Sequence, residues 1–190
     1  MQVSPVQIIE PQRHGDARGW LAETYSQPAF AARGIHHRFV QENHSLSADR
    51  WTLRGLHFQA PPHGQAKLVR CIRGRIWDVV VDLRAGSPSY GRWFGVELSA
   101  ENGRQLFVDV GFAHGFLTLE DGCEVSYRMS GLYAPKAEGG LHWGDPDVAI
   151  AWPLPAGVRP LLSPKDEQLG GLRALTSPFR YDGAPLDLAA

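Results

Sequence analysis

Arg54-Gly55-Leu56-His57-Phe58-Gln59 is the stretch whose residue types could do chemistry, with Lys67 a few residues on. If the stretch is a strand, alternation puts His57 on one face with Gly55 and Gln59, while Leu56 and Phe58 face the other way. A titratable ring held on a rigid strand, with no bulk two residues before it, is suited to proton transfer. A lone strand histidine is more often a core or surface residue. Here Arg54, Gln59 and Lys67 surround it, and such polar clustering in a β core needs a partner or a ligand. His114 stands between glycine and aromatic residues in Gly111-Phe112-Ala113-His114-Gly115-Phe116. It is either a turn histidine bonded to backbone or a pocket group. On a strand, Tyr127 shares a face with Cys123, Val125 and Met129, as a core aromatic whose hydroxyl seeks a partner. Tyr133 precedes Ala134-Pro135 in a loop, where it can stack on a planar ligand or close a corner. Asp166 falls near the start of a short helix, where the dipole favours a carboxylate by ~0.3–1 kcal/mol.

The elements that must hold these groups are mostly strands. Residues 3–10 read as a first strand and Trp20 to Tyr25 as another, with Asp16-Ala17-Arg18-Gly19 as a turn. Ser26-Gln27-Pro28 opens a short helix that Gly34 stops. Phe39 to Ser45 is extended. Lys67 to Ile72 and Arg75 to Leu83 read as a hairpin across Arg73-Gly74, rich in β-branched residues. In the second of these, Ile76, Asp78, Val80 and Asp82 alternate with Trp77, Val79, Val81 and Leu83, so the two acids must be wet or paired. Trp93 to Leu98, Arg104 to Val108, Gly115 to Leu119 and Glu124 to Met129 are further strands. Ser163-Pro164-Lys165-Asp166 carries a helix-start signature, and Gly170-Gly171 ends that helix. Ser177 to Ala190 reads as irregular. Short strands at roughly ten-residue spacing, parted by Gly and Pro, predict an all-β sandwich or barrel with short helices near the two ends. No linker divides the 190 residues, and one domain spanning 1–190 is expected.

Composition narrows the function. Nineteen Lys and Arg against 20 Asp and Glu argue against a polyanion-coating protein, though not against a local basic pocket. The two cysteines, Cys71 and Cys123, lack the short spacing of a zinc or redox site and read as buried thiols. There is no His-x-His pair, since Phe58 and Gln59 follow His57, so a His/carboxylate metal centre has weak support. No P-loop, dinucleotide fingerprint or Gly-x-Ser-x-Gly elbow occurs. The first residues show neither the basic nor the apolar region of a signal peptide. No apolar run approaches the ~20 residues needed to span a bilayer, so a cytoplasmic protein is expected.

Several of these stretches, with Gln41-Glu42-Asn43-His44-Ser45, Leu98-Ser99-Ala100-Glu101-Asn102 and Ile150-Ala151-Trp152-Pro153, resemble the dTDP-4-dehydrorhamnose 3,5-epimerase family. The likeness runs in order from about residue 8 to residue 168. It implies a cofactor-free, cupin-like jelly roll that forms homodimers and acts on a thymidine-diphosphate 4-keto-6-deoxy sugar. On that resemblance His57 is the general base, Asp166 its partner, Tyr127 the acid on the opposite ring face, and Lys67 the neighbour of the ketone oxygen. Arg18, Glu23, Gln41, Asn43, Arg54, His114 and Tyr133 fall where the family contacts nucleotide, diphosphate or sugar. Two departures are Val108-Asp109-Val110, where many members carry proline and glutamate, and Leu21, where an aromatic is common. Alternation sets Arg54 and His57 on opposite faces, so both reach one pocket only through a bulge or from a second subunit. The rival readings are a relative that inverts one carbon, a silent cupin that only binds a nucleotide sugar, and a metal-dependent cupin.

Overall fold

The computed structural model describes residues 4–186. The ends of the expected first strand, tail and single domain that fall on residues 1–3 and 187–190 lie outside them. Fourteen strands and two short α-helices run in the order β1 (Val6–Ile9), β2 (Arg13–Asp16), β3 (Gly19–Ala22), α1 (Gln27–Ala32), β4 (Gln41–Ser47), β5 (Leu53–Gln59), β6 (Lys67–Arg73), β7 (Arg75–Asp82), β8 (Arg84–Ala85), β9 (Trp93–Ser99), β10 (Gln105–Val108), β11 (Phe112–Thr118), β12 (Cys123–Met129), β13 (Glu138–Gly140), α2 (Pro164–Glu167) and β14 (Phe179–Arg180). Two five-stranded sheets result, ordered β1-β10-β6-β12-β4 and β13-β5-β11-β7-β9. Their pairings are antiparallel, and the whole is a cupin-like jelly roll. Among the described residues no helix is long and apolar enough to cross a membrane.

Three apolar clusters explain the layering. Val69, Cys71, Ile76, Val80, Leu98, Leu106, Phe116 and Val125 fill the space between the sheets. On the outer face of the second sheet, Leu56, Trp77, Val79, Val81 and Ala113 are covered by Leu141, Val148, Trp152 and Phe179. Phe30 of α1, with Ile35, covers Leu68 and Phe107 on the outer face of the first sheet. Apolar residues buried on both faces of a strand give a near-continuous apolar run, as in β11, all seven residues of which are buried. Each large side chain so buried contributes roughly 1.5–3 kcal/mol. Cys71 and Cys123 are free and buried, as expected.

Three expectations need correction. Lys67–Ile72 and Arg75–Leu83 do not form a hairpin. β6 pairs with β10 and β12, whereas β7 pairs with β11 and β9, so Arg73-Gly74 carries the chain from one sheet to the other. Gly74, at φ +76°, makes that corner, where a Cβ would lie 2.7 Å from the Cys123 sulfur. The C-terminal stretch is not wholly irregular, because β14 pairs in parallel with β8. The helix opening at Ser163 ends at Glu167, before the two glycines.

The alternation in β7 resolves cleanly. Asp78 and Asp82 are both fully buried and both paired. Asp82 meets Arg84 at 2.7 Å and accepts from the hydroxyls of Ser87 and Ser89. Burial by itself would raise its pKa; the bonds from Arg84 and the serines outweigh that and hold the carboxyl below the usual range. Asp78 is bonded to His114.

Candidate active site

Between the two sheets lies a cavity of about 530 Å³. The first sheet lines it with Asn43, Lys67, Tyr127 and Met129, the second with Arg54, His57, His114, Phe116 and Glu138, and the segment around α2 with Ser163, Lys165 and Asp166. Phe116 and Met129 give an apolar wall to a lining otherwise rich in convergent polar groups, which suits a polar ligand.

A bulge gathers the second sheet's contribution. On β11, His114 and Phe116 are two residues apart; their partners on β5, His57 and Arg54, are three apart. The extra residue resets the alternation, so Arg54 and His57 line one cavity within a single chain. Gly55 makes this possible. It sits at φ +121°, and a Cβ there would lie 2.6 Å from the Gly115 Cα and 2.8 Å from the His114 carbonyl oxygen.

His57 Nε2 lies 2.6 Å from a carboxylate oxygen of Asp166, whose side chain is 4 % exposed. The carboxylate only accepts, so Nε2 carries the hydrogen. Asp166 is itself fixed. Its other oxygen accepts from the Gly55 N–H, and its own N–H donates to the Ser163 hydroxyl that caps α2. Burial pushes the Asp166 carboxyl up, but the hydrogen bond and charge of His57, with the Gly55 and Ser163 contacts, hold it below the ordinary range. Asp166 is therefore an ionised acid behind the His57 ring.

Lys67 reaches under the same cavity and donates to the His57 carbonyl oxygen at 3.2 Å. Burial lowers its pKa to about 8, against the opposing pull of Asp78 and Glu138. Tyr127 packs on the inter-sheet core, and its hydroxyl has no hydrogen-bond partner among the described residues. His114 is 6 % exposed and bonds Asp78 through Nε2. At the mouth, the exposed Tyr133 donates its hydroxyl to Glu138, and its backbone N–H goes to Gln41, which also bonds Asn43. Glu138 pairs in turn with Lys165 at 2.5 Å.

Arg18 and Glu23 are not brought here. Both are exposed and neither lines this chain's cavity. Arg18 sits at the tip of the β2–β3 hairpin, paired with Asp16. Leu21 is exposed on the same hairpin, and Asp109 is bonded to His37. Sequence reasoning asked for a partner for Asp78 and read Ser163 as a helix cap, but it put neither of them, nor Glu138 or Lys165, at the site. The buried acid in an apolar alternation was the available signal for Asp78; for Glu138, in a short irregular segment, there was none. Among the described residues no group of three or more His, Cys, Asp or Glu side chains could hold a metal ion.

Fold and cavity together define a cupin-like jelly roll with a histidine–carboxylate pair in a small-molecule cavity. A family model described as dTDP-4-dehydrorhamnose 3,5-epimerase matches residues 1–174, and the chain belongs to that family of isomerases. The dTDP-4-dehydrorhamnose 3,5-epimerase of Methanothermobacter thermautotrophicus is 49% identical over 87% of this chain and 89% of its own. The crystal structure of the Legionella pneumophila dTDP-6-deoxy-D-glucose-3,5-epimerase, in complex with dTDP-4-keto-L-rhamnose, superimposes with a TM-score of 0.88 at 41% identity, covering 95% of this chain and 96% of that one. The dTDP-4-dehydrorhamnose 3-epimerase of Streptomyces niveus is 44% identical over 84% of this chain and 75% of its own.

Proposed function

We propose that this enzyme inverts carbons 3 and 5 of dTDP-4-dehydro-6-deoxy-D-glucose to give dTDP-4-dehydro-L-rhamnose. The observation that carries this is the 2.6 Å bond from His57 to the buried Asp166 at the edge of a cavity that also holds Lys67 and the unpartnered Tyr127 hydroxyl. Carbons 3 and 5 flank a ketone, so each bears an acidified hydrogen. His57 Nδ1 removes it as general base, and Asp166 stabilises the imidazolium that forms. Lys67 meets the developing enolate oxygen, a contact of the kind that contributes about 3–4 kcal/mol to lowering a barrier. Tyr127, from the opposite sheet, returns a proton to the other ring face. The ketone is the electron sink, so the chemistry requires no metal or organic cofactor.

Arg54 suits the diphosphate, since a guanidinium fork takes paired oxygens. Asn43, Gln41 and His114 suit the sugar and nucleotide, and Tyr133 suits a planar base. Arg18 and Glu23 serve the cavity of a second copy in a homodimer. Their exposure on a hairpin that carries the unburied Trp20 and Leu21 supports that assignment. A single jelly-roll domain working in the cytoplasm completes the reading. The 44% identity to a 3-epimerase supports a second reading, inversion at carbon 3 alone. Incubation with dTDP-4-dehydro-6-deoxyglucose, read by the ring-proton couplings of the product, separates the two: inverted couplings at both carbons fit the first, at carbon 3 alone the second.

A further inference from the structure

Asp78 lies behind the cavity-lining His114, between Ile76 and Val80 of the inter-sheet core, and is 0% exposed. A carboxylate buried there without partners would be strongly disfavoured. Its two oxygens stand 2.9 and 3.0 Å from His114 Nε2, and no other hydrogen bond reaches it among the described residues. We infer that Asp78 is a positioning residue for the reaction: it orients His114 as an acceptor for a hydroxyl of the sugar and supplies the negative charge that retains the Lys67 ammonium. This rests on the proposed function, which takes Lys67 as the group facing the enolate oxygen.

The orientation follows from hydrogen-bond valence. An ionised carboxylate only accepts, so Nε2 of His114 carries the hydrogen. Burial disfavours a second proton on the ring; Asp78 pulls the other way, while Lys67 and His57 add to the disfavour, and the net effect lies below the ordinary histidine value. The ring is then neutral and Nδ1 is a lone pair. Nδ1 has no partner among the described residues, and His114 lines the cavity. A bare nitrogen acceptor fits a hydroxyl donor and not a ketone.

The retention of charge follows from what faces Lys67. Asp78 on β7 and Glu138 on β13 hold its proton on, Asp78 the more strongly. His57 on β5, His114 on β11, Tyr127 on β12 and Asp166 on α2 line the same cavity.

The test is Asp78→Asn against the unaltered enzyme, with kcat and KM followed from acid to alkaline pH and thymidine diphosphate affinity measured by calorimetry. Expected are an alkaline limb of kcat moved about one unit lower, a fall in kcat at neutral pH, and thymidine diphosphate affinity within about twofold. An unmoved limb with unchanged kcat overturns the inference while the unaltered enzyme remains active; an inactive unaltered enzyme instead overturns the proposed function. Nitrogen-15 NMR of the unaltered enzyme needs no variant. His114 is expected to show a protonated Nε2 and a bare Nδ1 at pH 7, and the reverse pattern, or two protonated nitrogens, overturns the inference.

Discussion

His57 and His114 stand directly opposite each other on adjacent antiparallel strands, each tied through Nε2 to a buried carboxylate. The two carboxylates come from opposite directions, Asp166 from α2 and Asp78 from β7. His57 is open to the cavity, with its side chain 31% exposed, whereas His114 lines the same cavity with only 7% of its side chain exposed. The same residue pair thus yields one ring open to the cavity and one held almost wholly within its wall.

The opposed sheets predict a division of labour. His57 lies on one sheet and Tyr127 on the other, across the cavity. Tyr127→Phe is expected to spare removal of the sugar hydrogens better than their replacement on the new face. Deuterium exchange into recovered substrate should outlast product formation, measured on one sample by NMR; equal loss of both contradicts the donor role.

Lys67 sets an alkaline limit. The proposed mechanism sets its ammonium at the enolate oxygen, and burial brings its pKa down to about 8 from 10.5. The cation prevails below that value and is lost above it. The rate of inversion should therefore fall as pH rises through about 8, in a pH-rate profile of kcat; a plateau reaching pH 10 contradicts the role.

Gly55 is the hinge of the bulge. Gly55→Ala puts a methyl 2.6 Å from the Gly115 backbone at φ +121°, and neither backbone can yield cheaply. A loss on the order of 3 kcal/mol or more is expected, with a fall in Tm of ~10 °C. A variant as stable as the parent would show that the strands separate freely there.

His37 couples stability to pH. The hydrogen bond that the ring donates to Asp109 raises its pKa above 6.5, against the opposing effect of burial. A raised folded-state value means that the contribution is fully present below 6.5 and is lost as pH rises through the folded-state value. His37→Gln should therefore lower Tm more at pH 5.5 than at pH 8.5. An equal loss at both contradicts the linkage.

Much of this was legible in residue order because strand alternation and turn residues are local. The helix start at Ser163-Pro164 placed Asp166 correctly, since capping depends on three or four neighbours. Non-local pairing was not legible. A glycine turn between two β-branched runs reads as a hairpin whether the second strand folds back or crosses to the other sheet, and Arg73-Gly74 does the latter. The faces of Arg54 and His57 depended on a bulge that appears only when β5 is set beside β11. Asp78 was flagged as needing a partner, but His114, 36 positions away, is chosen by register. Glu138 gains its meaning from Tyr133 and Lys165, which meet only in the folded chain.

The most direct test is hydrogen exchange in heavy water with dTDP-4-dehydro-6-deoxyglucose, comparing the unaltered enzyme, His57→Ala and Asp166→Asn by NMR. The account predicts deuterium at carbons 3 and 5 with the unaltered enzyme and none at either with His57→Ala. With Asp166→Asn it predicts a rate lowered on the order of ten-thousandfold, the loss seen when a histidine base loses its orienting acid. Exchange retained by His57→Ala at either carbon would contradict the assignment of His57 as the base.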